Sequence, residues 1–500
     1  MIDGVGQRNA VFASIAWRKR CVVVVIVLAI QFGSIRRSGA EDRVDLKYMY
    51  YQEDDGRIQV LTPAALIERD LSPTVNIKIE GIYNAISGAS PTGAPLVTRG
   101  GTPSPAATES YSQYITEARE NEREGRAEED DNSEERGDGN EDGESREGRR
   151  FGKLRGVGAR TGLALNRPLL RNLYHARAGA TPQPQPQPQP RPAPSPAPSP
   201  SRSTSTTRTT STPVATPAAQ PVSTDLPTAE VEDERTAFNI ELSKKIEDHT
   251  VSGMLSYSTE SDYESVGLSL RDAIDFNKKN TTLTFGGAYT HDLVDSFARD
   301  TTEDKDTIDA MVGLTQVLGP ATLFTVNLTL SQVTGFLDDQ YKIVELNGVL
   351  VPEKRPDKKD KQILFLSLSH FFKTVQGAAE VSYRYYDDTF GIRADTYTLS
   401  WQQKLGRKVV LTPMLRWYQQ TEADFYGIRF EGSPSAYSSD YRISALEAVG
   451  YGLKLVWSPS SRFSVDLAVE RYEQSGTDGV TPDEAYPAAN VVTAGARWWF

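Results

Sequence analysis

The chain ends VVTAGARWWF (Val491–Phe500), and the reading of this stretch decides the fold. Val492, Ala494, Ala496, Trp498 and Phe500 fall on one side of a period-two pattern, and Thr493, Gly495 and Arg497 on the other. A β-strand sends alternate side chains to opposite faces, so one face here is apolar and ends in aromatics while the other is polar. A soluble sandwich strand has the same pattern, and the rest of the chain must separate the two cases.

The same alternation recurs upstream. TLFTVNLTL sets Phe324, Val326, Leu328 and Leu330 against Thr325, Asn327 and Thr329; RFSVDLAVE sets Phe463, Val465, Leu467 and Val469 against Ser464, Asp466 and Glu470. DTYTLSWQQK and AAEVSYRYY repeat it. Helical periodicity is nearly absent. Connections between these segments alternate in length: Leu318-Gly319-Pro320 and Gly406-Arg407-Lys408 are short, while 335–360, 422–440 and 474–488 are long. Tight turns at one end and long loops at the other are the asymmetry of an outer-membrane barrel, whose strands are about 10 residues long and even in number. The expectation is an all-β transmembrane antiparallel β-barrel of about 16 strands in the bacterial outer membrane of a Gram-negative cell. Trp498 and Phe500 then lie in an interfacial girdle. A terminal Phe behind alternating apolar residues also resembles the signal read by the barrel-assembly machinery.

Composition agrees. Of 500 residues 38% are hydrophobic, Tyr is abundant at 22, and the formal net charge is −12, which gives no support for a nucleic-acid partner. The one cysteine, Cys21, lies in an apolar run, Cys21–Phe32, behind Arg18-Lys19-Arg20. That run is shorter than the roughly 20 residues a membrane helix needs, and Ser38-Gly39-Ala40 supplies small residues for cleavage, so 1–40 reads as a signal peptide. Residues 41–86 read as barrel strands 1–3, 87–233 as a low-complexity, disordered extracellular loop insert, and 234–500 as the remaining strands. The insert holds a mostly acidic block at 117–150, a basic one at 151–180 and the polyproline-type run TPQPQPQPQPRPAPSPAPSPS. Its first residues, SGASPTG (Ser87–Gly93), suit either a structural turn or an inward constriction. Pro63 interrupts the alternation near Gln59–Glu68 and makes that strand the least secure.

DRVDLKYMYYQEDDGRIQV (42–60), YNAISGASPTGAP (Tyr83–Pro95) and DERTAFNIELSKK (Asp233–Lys245) resemble an uncharacterised bacterial outer-membrane barrel family, a domain of unknown function. The resemblance implies the fold and the location and supplies no substrate. The long insert departs from it as an expanded loop after the third strand.

The polar faces predict a lumen of mixed charge. The candidates are Lys78, Glu80, Glu241, Arg271, Asp309, Glu380, Arg384, Lys404, Arg416, Lys454, Asp466, Glu470 and Arg497, with Asp45 and Lys47 beside them. Acids and bases nearly balance, so no single-sign selectivity ring is indicated. Such charges either line a wet pore or pair across the lumen of a plugged barrel. The function expected is a porin-like channel for small polar solutes; the alternative is a structural or partner-binding barrel, a scaffold or sheath meeting a surface or envelope protein through its long loop. Besides these, membrane lipid is the expected partner. No catalytic residue, cofactor or metal is expected. His291 with Asp292 and Asp295 is the one acid/base grouping, and Asp300, Glu303, Asp304 and Asp306 form an acidic loop without EF-hand spacing.

Overall fold

A computed structural model of the protein describes residues 42–93, 228–296 and 301–500. The expected signal peptide, most of the insert and Asp300 lie outside the described residues. Sixteen strands form one closed antiparallel barrel: β1 (Arg43–Glu53), β2 (Ile58–Ser72), β3 (Val75–Pro91), β4 (Thr228–Ile246), β5 (His249–Thr259), β6 (Tyr263–Phe276), β7 (Thr281–Ser296), β8 (Thr301–Gly319), β9 (Thr322–Gly335), β12 (Lys358–Phe372), β13 (Gly377–Asp388), β14 (Arg393–Leu405), β15 (Val409–Gln420), β17 (Leu446–Ser460), β18 (Phe463–Gly476) and β19 (Ala488–Trp499). Three short strands, β10 (Ile343–Leu346), β11 (Val349–Pro352) and β16 (Arg429–Phe430), form a separate small sheet within two long connections.

Closure follows from the strand count and the solvent. In hydrocarbon an open strand edge leaves N–H and C=O groups unpaired, so the last strand must meet the first. It does so along the whole of β1, from Arg43 opposite Trp499 to Glu53 opposite Ala489, and the Phe500 N–H donates to the Asp42 carbonyl at 3.0 Å. The apolar faces point outward. Leu255, Leu270, Ile308, Leu330, Leu399 and Leu453 are each about half exposed or more, a surface that water would not tolerate but lipid requires. Trp498 and Phe500 share this face, 60% and 40% exposed. The closed antiparallel ring of even strand number, with this band around it, is a transmembrane barrel of the bacterial outer membrane.

Pro63 does not end its strand. Paired residues on β2 and β3 run Leu61 with Ala85 and then Ala64 with Ile82, so the proline sits where the ladder skips. Pro413 does the same on β15, between Leu411 paired with Gln403 and Met414 paired with Ser400. A residue with no N–H fits such a gap.

One expectation needs correction. The third strand does not stop before Ser87: it continues to Pro91, and β4 begins at Thr228, so both reach past the bounds set for the insert. Gly88 permits this. At φ +132° a Cβ would lie 1.7 Å from the Arg57 carbonyl oxygen, so only glycine lets the two backbones pass. The long connections 335–360 and 422–440 have structure of their own. They carry β10, β11 and β16, and Asn347-Gly348 turns β10 into β11 with φ 53° and 78°.

Candidate functional site

The pleat sends every one of the candidate lumen residues inward. On the wall that runs from β17 through β19, β1 and β2 to β6 they form an alternating band with Arg43 and Glu68, two residues the sequence did not single out. Asp466 sits between Lys47, which donates to it, and Lys454 at 3.7 Å. Asp45 sits between Arg497 at 2.6 Å and Arg43 at 3.6 Å. Glu68 sits between Arg43 at 2.7 Å and Lys78 at 3.7 Å, and Glu241 between Lys78 at 3.4 Å and Arg271 at 3.9 Å. The pairing runs along the wall between nearby strands, not across the lumen. Glu80 accepts from Asn239 at 3.0 Å, and Glu380 from Ser367 at 3.2 Å. Lys404 lies over the Phe371 ring near the periplasmic end. Asp309 is opposite Ser331 on a wall of hydroxyls and amides that includes Asn327, Thr329 and Ser367.

The outer mouth is spanned by protein. The connections 336–357 and 421–445 join each other through β10 and β16, through Lys354 and Tyr437, and through the Ser439 hydroxyl, which donates to the Ile343 carbonyl at 2.7 Å. They then reach around the ring. Gln340 and Tyr341 donate to Asp262 at the β5–β6 turn, at 2.6 and 3.0 Å. Phe336 packs on Tyr263 and Val294. Lys342 donates to the Pro91 carbonyl, and the Ile343 N–H to that of Thr92, so the end of β3 docks under the loops. On the other side Phe390, Ala423, Phe425, Ile443 and Tyr486 pack on the inward residues Ile363, Tyr386, Tyr418, Leu446 and Ala448. The mouth therefore has a dry aromatic half and a polar half.

The polar half is a buried ionic cluster of Asp339, Lys342, Glu353, Arg355, Asp440 and Arg442. Arg442 Nε donates to both Asp440 oxygens at 2.8 Å, and its Nη2 also reaches Asp339. Arg355 bridges Glu353 at 2.6 Å and Asp440 at 2.8 Å. Burial alone pushes the Asp440 carboxyl up, but Arg442, Lys342 and Arg355 outweigh it and hold it well below the usual carboxylate range. Burial also lowers the Lys342 ammonium. Glu353 moves the other way: burial raises it to about 7, Asp440 and Asp339 add to that, and Arg355 and the Ser438 hydroxyl oppose it. A carboxyl raised in the folded loops binds its proton more tightly there than in the released loops. Its stabilisation is complete below the ordinary value and is lost as pH rises through about 7. The expected result is that protease protection of 336–357 and 421–445 declines between pH 5 and 8, and that Glu353→Gln flattens the decline; equal profiles in the two proteins would remove Glu353 as the cause.

The grouping of His291 with Asp292 and Asp295 is divided by the pleat. His291 faces outward, where its Nδ1 meets Asp306 at 2.9 Å, while Asp292 faces the lumen and pairs with Lys305 at 2.7 Å. The acidic loop is divided too: Asp304 and Asp306 lie beside His291, and Glu303 is opposite the inward Val294. Three other carboxylates, Asp233, Glu260 and Asp262, do converge within 4.8 Å. Protein donors engage Asp262 and Asp233, the latter through the Ser261 hydroxyl at 2.6 Å.

The loop cluster was missed because its charges look like any solvated loop in sequence. Asn347-Gly348 between IVEL and VLVP was the one available signal, since that dipeptide favours the type I′ turn of a hairpin.

Residues 28–303 and 295–490 match the family model described as "Protein of unknown function (DUF3570)". No curated protein matches the sequence. Among solved structures the chain is similar to a bacterial polysaccharide outer membrane secretin, at 7% identity and TM-score 0.40 over 92% of this chain and 100% of that one. It is also similar to the siderophore receptor PirA from Pseudomonas aeruginosa, at 8% identity and TM-score 0.33 over 93% and 81%. The CymD monoaromatic hydrocarbon channel gives 8% identity and TM-score 0.34 over 93% and 89%.

Proposed function

The chain belongs to this family of unknown function, DUF3570, and within it we propose that the protein is a gated outer-membrane channel for small polar solutes, closed at its outer mouth by its own loops. The observation that carries this reading is the chemistry of the closure. A barrel of this strand number encloses an aqueous lumen unless something fills it. Here the filling is half ionic, with three acids and three bases taken out of water at one end. Desolvating such charges is costly, and a permanent seal is built more cheaply from apolar side chains. An ionic latch is held by a few bonds that water can replace, which suits a closure that opens. The polar wall beneath it, with its alternating charges and its Ser, Thr and Asn positions, favours hydrated polar solutes.

The test is planar-bilayer conductance of the refolded mature chain beside a variant in which residues 424–439 are replaced by a short glycine-serine turn. The expected result is a mostly closed wild type and steady open steps from the variant. A folded, heat-resistant barrel that conducts in neither form would overturn the channel reading and favour a scaffold barrel working through its outer loops.

A further inference from the structure

We infer that the periplasmic rim of the barrel from β12 to β18 is a binding arc for anionic phospholipid, with Lys373, Arg407, Lys408 and Arg462 holding the headgroup phosphates. The inference rests on the barrel's place in the membrane and is independent of the channel reading.

The periplasmic turns divide into two arcs by sign. Those joining β12 to β13, β14 to β15 and β17 to β18 follow one another around the ring. With the strand ends that flank them they cover 366–379, 399–415 and 453–465, and no carboxylate occurs in any of the three. The turns themselves carry Lys373, Arg407, Lys408 and Arg462, a run of unopposed cations in a chain whose net charge is −12. All four are exposed, and none has an ion-pair partner among the described residues. The turns on the other side of the ring mix both signs and pair them. Arg69 meets Asp42 at 3.7 Å, His249 meets Asp272 at 2.8 Å and Lys279 meets Asp275 at 3.8 Å.

The lipid-facing side chains say what covers the arc. Each cation stands just beyond an outward apolar or aromatic residue. Lys373 follows Phe372, whose ring lies 5.6 Å from that of Trp401. Arg407 and Lys408 lie past the outward Leu405, and the Lys408 carbonyl accepts from the Ser458 N–H at 2.7 Å, next to Trp457. Arg462 precedes Phe463, which is opposite Trp498, and its carbonyl accepts from the Trp499 N–H at 2.9 Å. Phe372, Leu405, Trp457 and Phe463 are all exposed to the surroundings of the barrel. Aromatic rings settle at the headgroup level of a leaflet, and a long cationic side chain one step further from the hydrocarbon reaches the phosphates. A soluble acidic partner would account for the cations but not for the apolar side chain that accompanies each of them.

The experiment is tryptophan quenching in the full chain refolded into phosphatidylcholine vesicles that carry a rising fraction of dibrominated phosphatidylglycerol, with dibrominated phosphatidylcholine as the reference. Four of the six tryptophans, Trp401, Trp457, Trp498 and Trp499, sit on this rim and report it. A basic residue at an anionic surface favours the anionic lipid roughly fivefold. The expected wild-type preference for phosphatidylglycerol is therefore about fivefold or more. It should fall to parity in the triple variant Lys373→Gln, Arg407→Gln and Lys408→Gln. These side chains are exposed, so the triple variant should fold, which heat-resistant migration checks. The pair Lys278→Gln and Lys279→Gln, on the mixed arc, should keep the wild-type preference. Parity in the wild type would overturn the inference and leave these cations to a soluble acidic partner. A folded triple variant that keeps the preference would overturn it too, as would an equal loss in the Lys278 and Lys279 variant, which would make the effect one of overall charge.

Discussion

Arg442→Met is expected to release the two outer loops while leaving the barrel folded. The guanidinium serves Asp440 through Nε and Nη2 and reaches Asp339 with the same Nη2, so one side chain holds the 421–445 connection to the 336–357 connection. Methionine has nearly the reach and none of the charge. The change leaves Asp440 and Asp339 buried against each other, with Lys342 and Arg355 as the remaining cations. Stranding one partner of a buried ion pair costs about 3–5 kcal/mol. A loop docked on a barrel rim has less than that to spare, since local units open well below the global stability. Hydrogen exchange is the measurement. Amides in 336–357 and 421–445 should lose protection by two or more orders of magnitude, while the β1–β19 seam keeps its own. The double variant Asp440→Asn with Arg442→Met should recover much of the protection, because the uncompensated charge is gone. Unchanged exchange in the single variant would show that the aromatic half alone closes the mouth, and the latch would lose its role.

The contrast between barrel and latch says what a sequence can disclose. Strands were legible because hydrocarbon imposes one rule on every second residue: Leu328 and Leu330 must be apolar whatever their neighbours, and Thr329 between them need not be. Turn positions were legible for the same local reason. Pro63 was misleading only because a single break in the ladder cannot be told from a strand end without the partner strand, and here that partner skips the proline. The inward face of the charged residues was legible from alternation alone, but their pairing was not. Glu241 meets Lys78 from a strand on the far side of the insert, and Asp466 meets Lys47 across 419 positions. The loops were the least legible. Asp339 and Arg442 lie in segments whose composition suits solvated loops equally well, and only tertiary closure puts them out of water. Asn347-Gly348 marked a hairpin there; it could not mark what the hairpin rests on.

Leu255→Arg and Ser256→Arg should have opposite consequences, though the two residues are adjacent. Both sit at the middle of β5, which runs from His249 to Thr259. Leu255 points to lipid at 60% exposure, paired with Ile240 on β4 and Leu268 on β6 in an apolar row. Ser256 points into the lumen, between Asn239 and Gly267. An arginine on the lipid face near the bilayer midplane costs about 2–4 kcal/mol, because the guanidinium must be dehydrated or drag water into the hydrocarbon. The same arginine on the lumen face keeps its water, and the absent side chain of Gly267 leaves it space against that wall, so its cost should stay within about 1 kcal/mol. Urea unfolding of the chain refolded into lipid vesicles reads both. A midpoint lowered strongly for position 255 and hardly for 256 fits strands that pass through lipid with their even-numbered β5 residues inside. The reverse order would mean that β5 has slipped by one residue, which in a period-two strand exchanges the two faces completely. Equal, small losses would mean that this strand does not contact hydrocarbon at all, and the assignment of the apolar band as a membrane surface would fail with it.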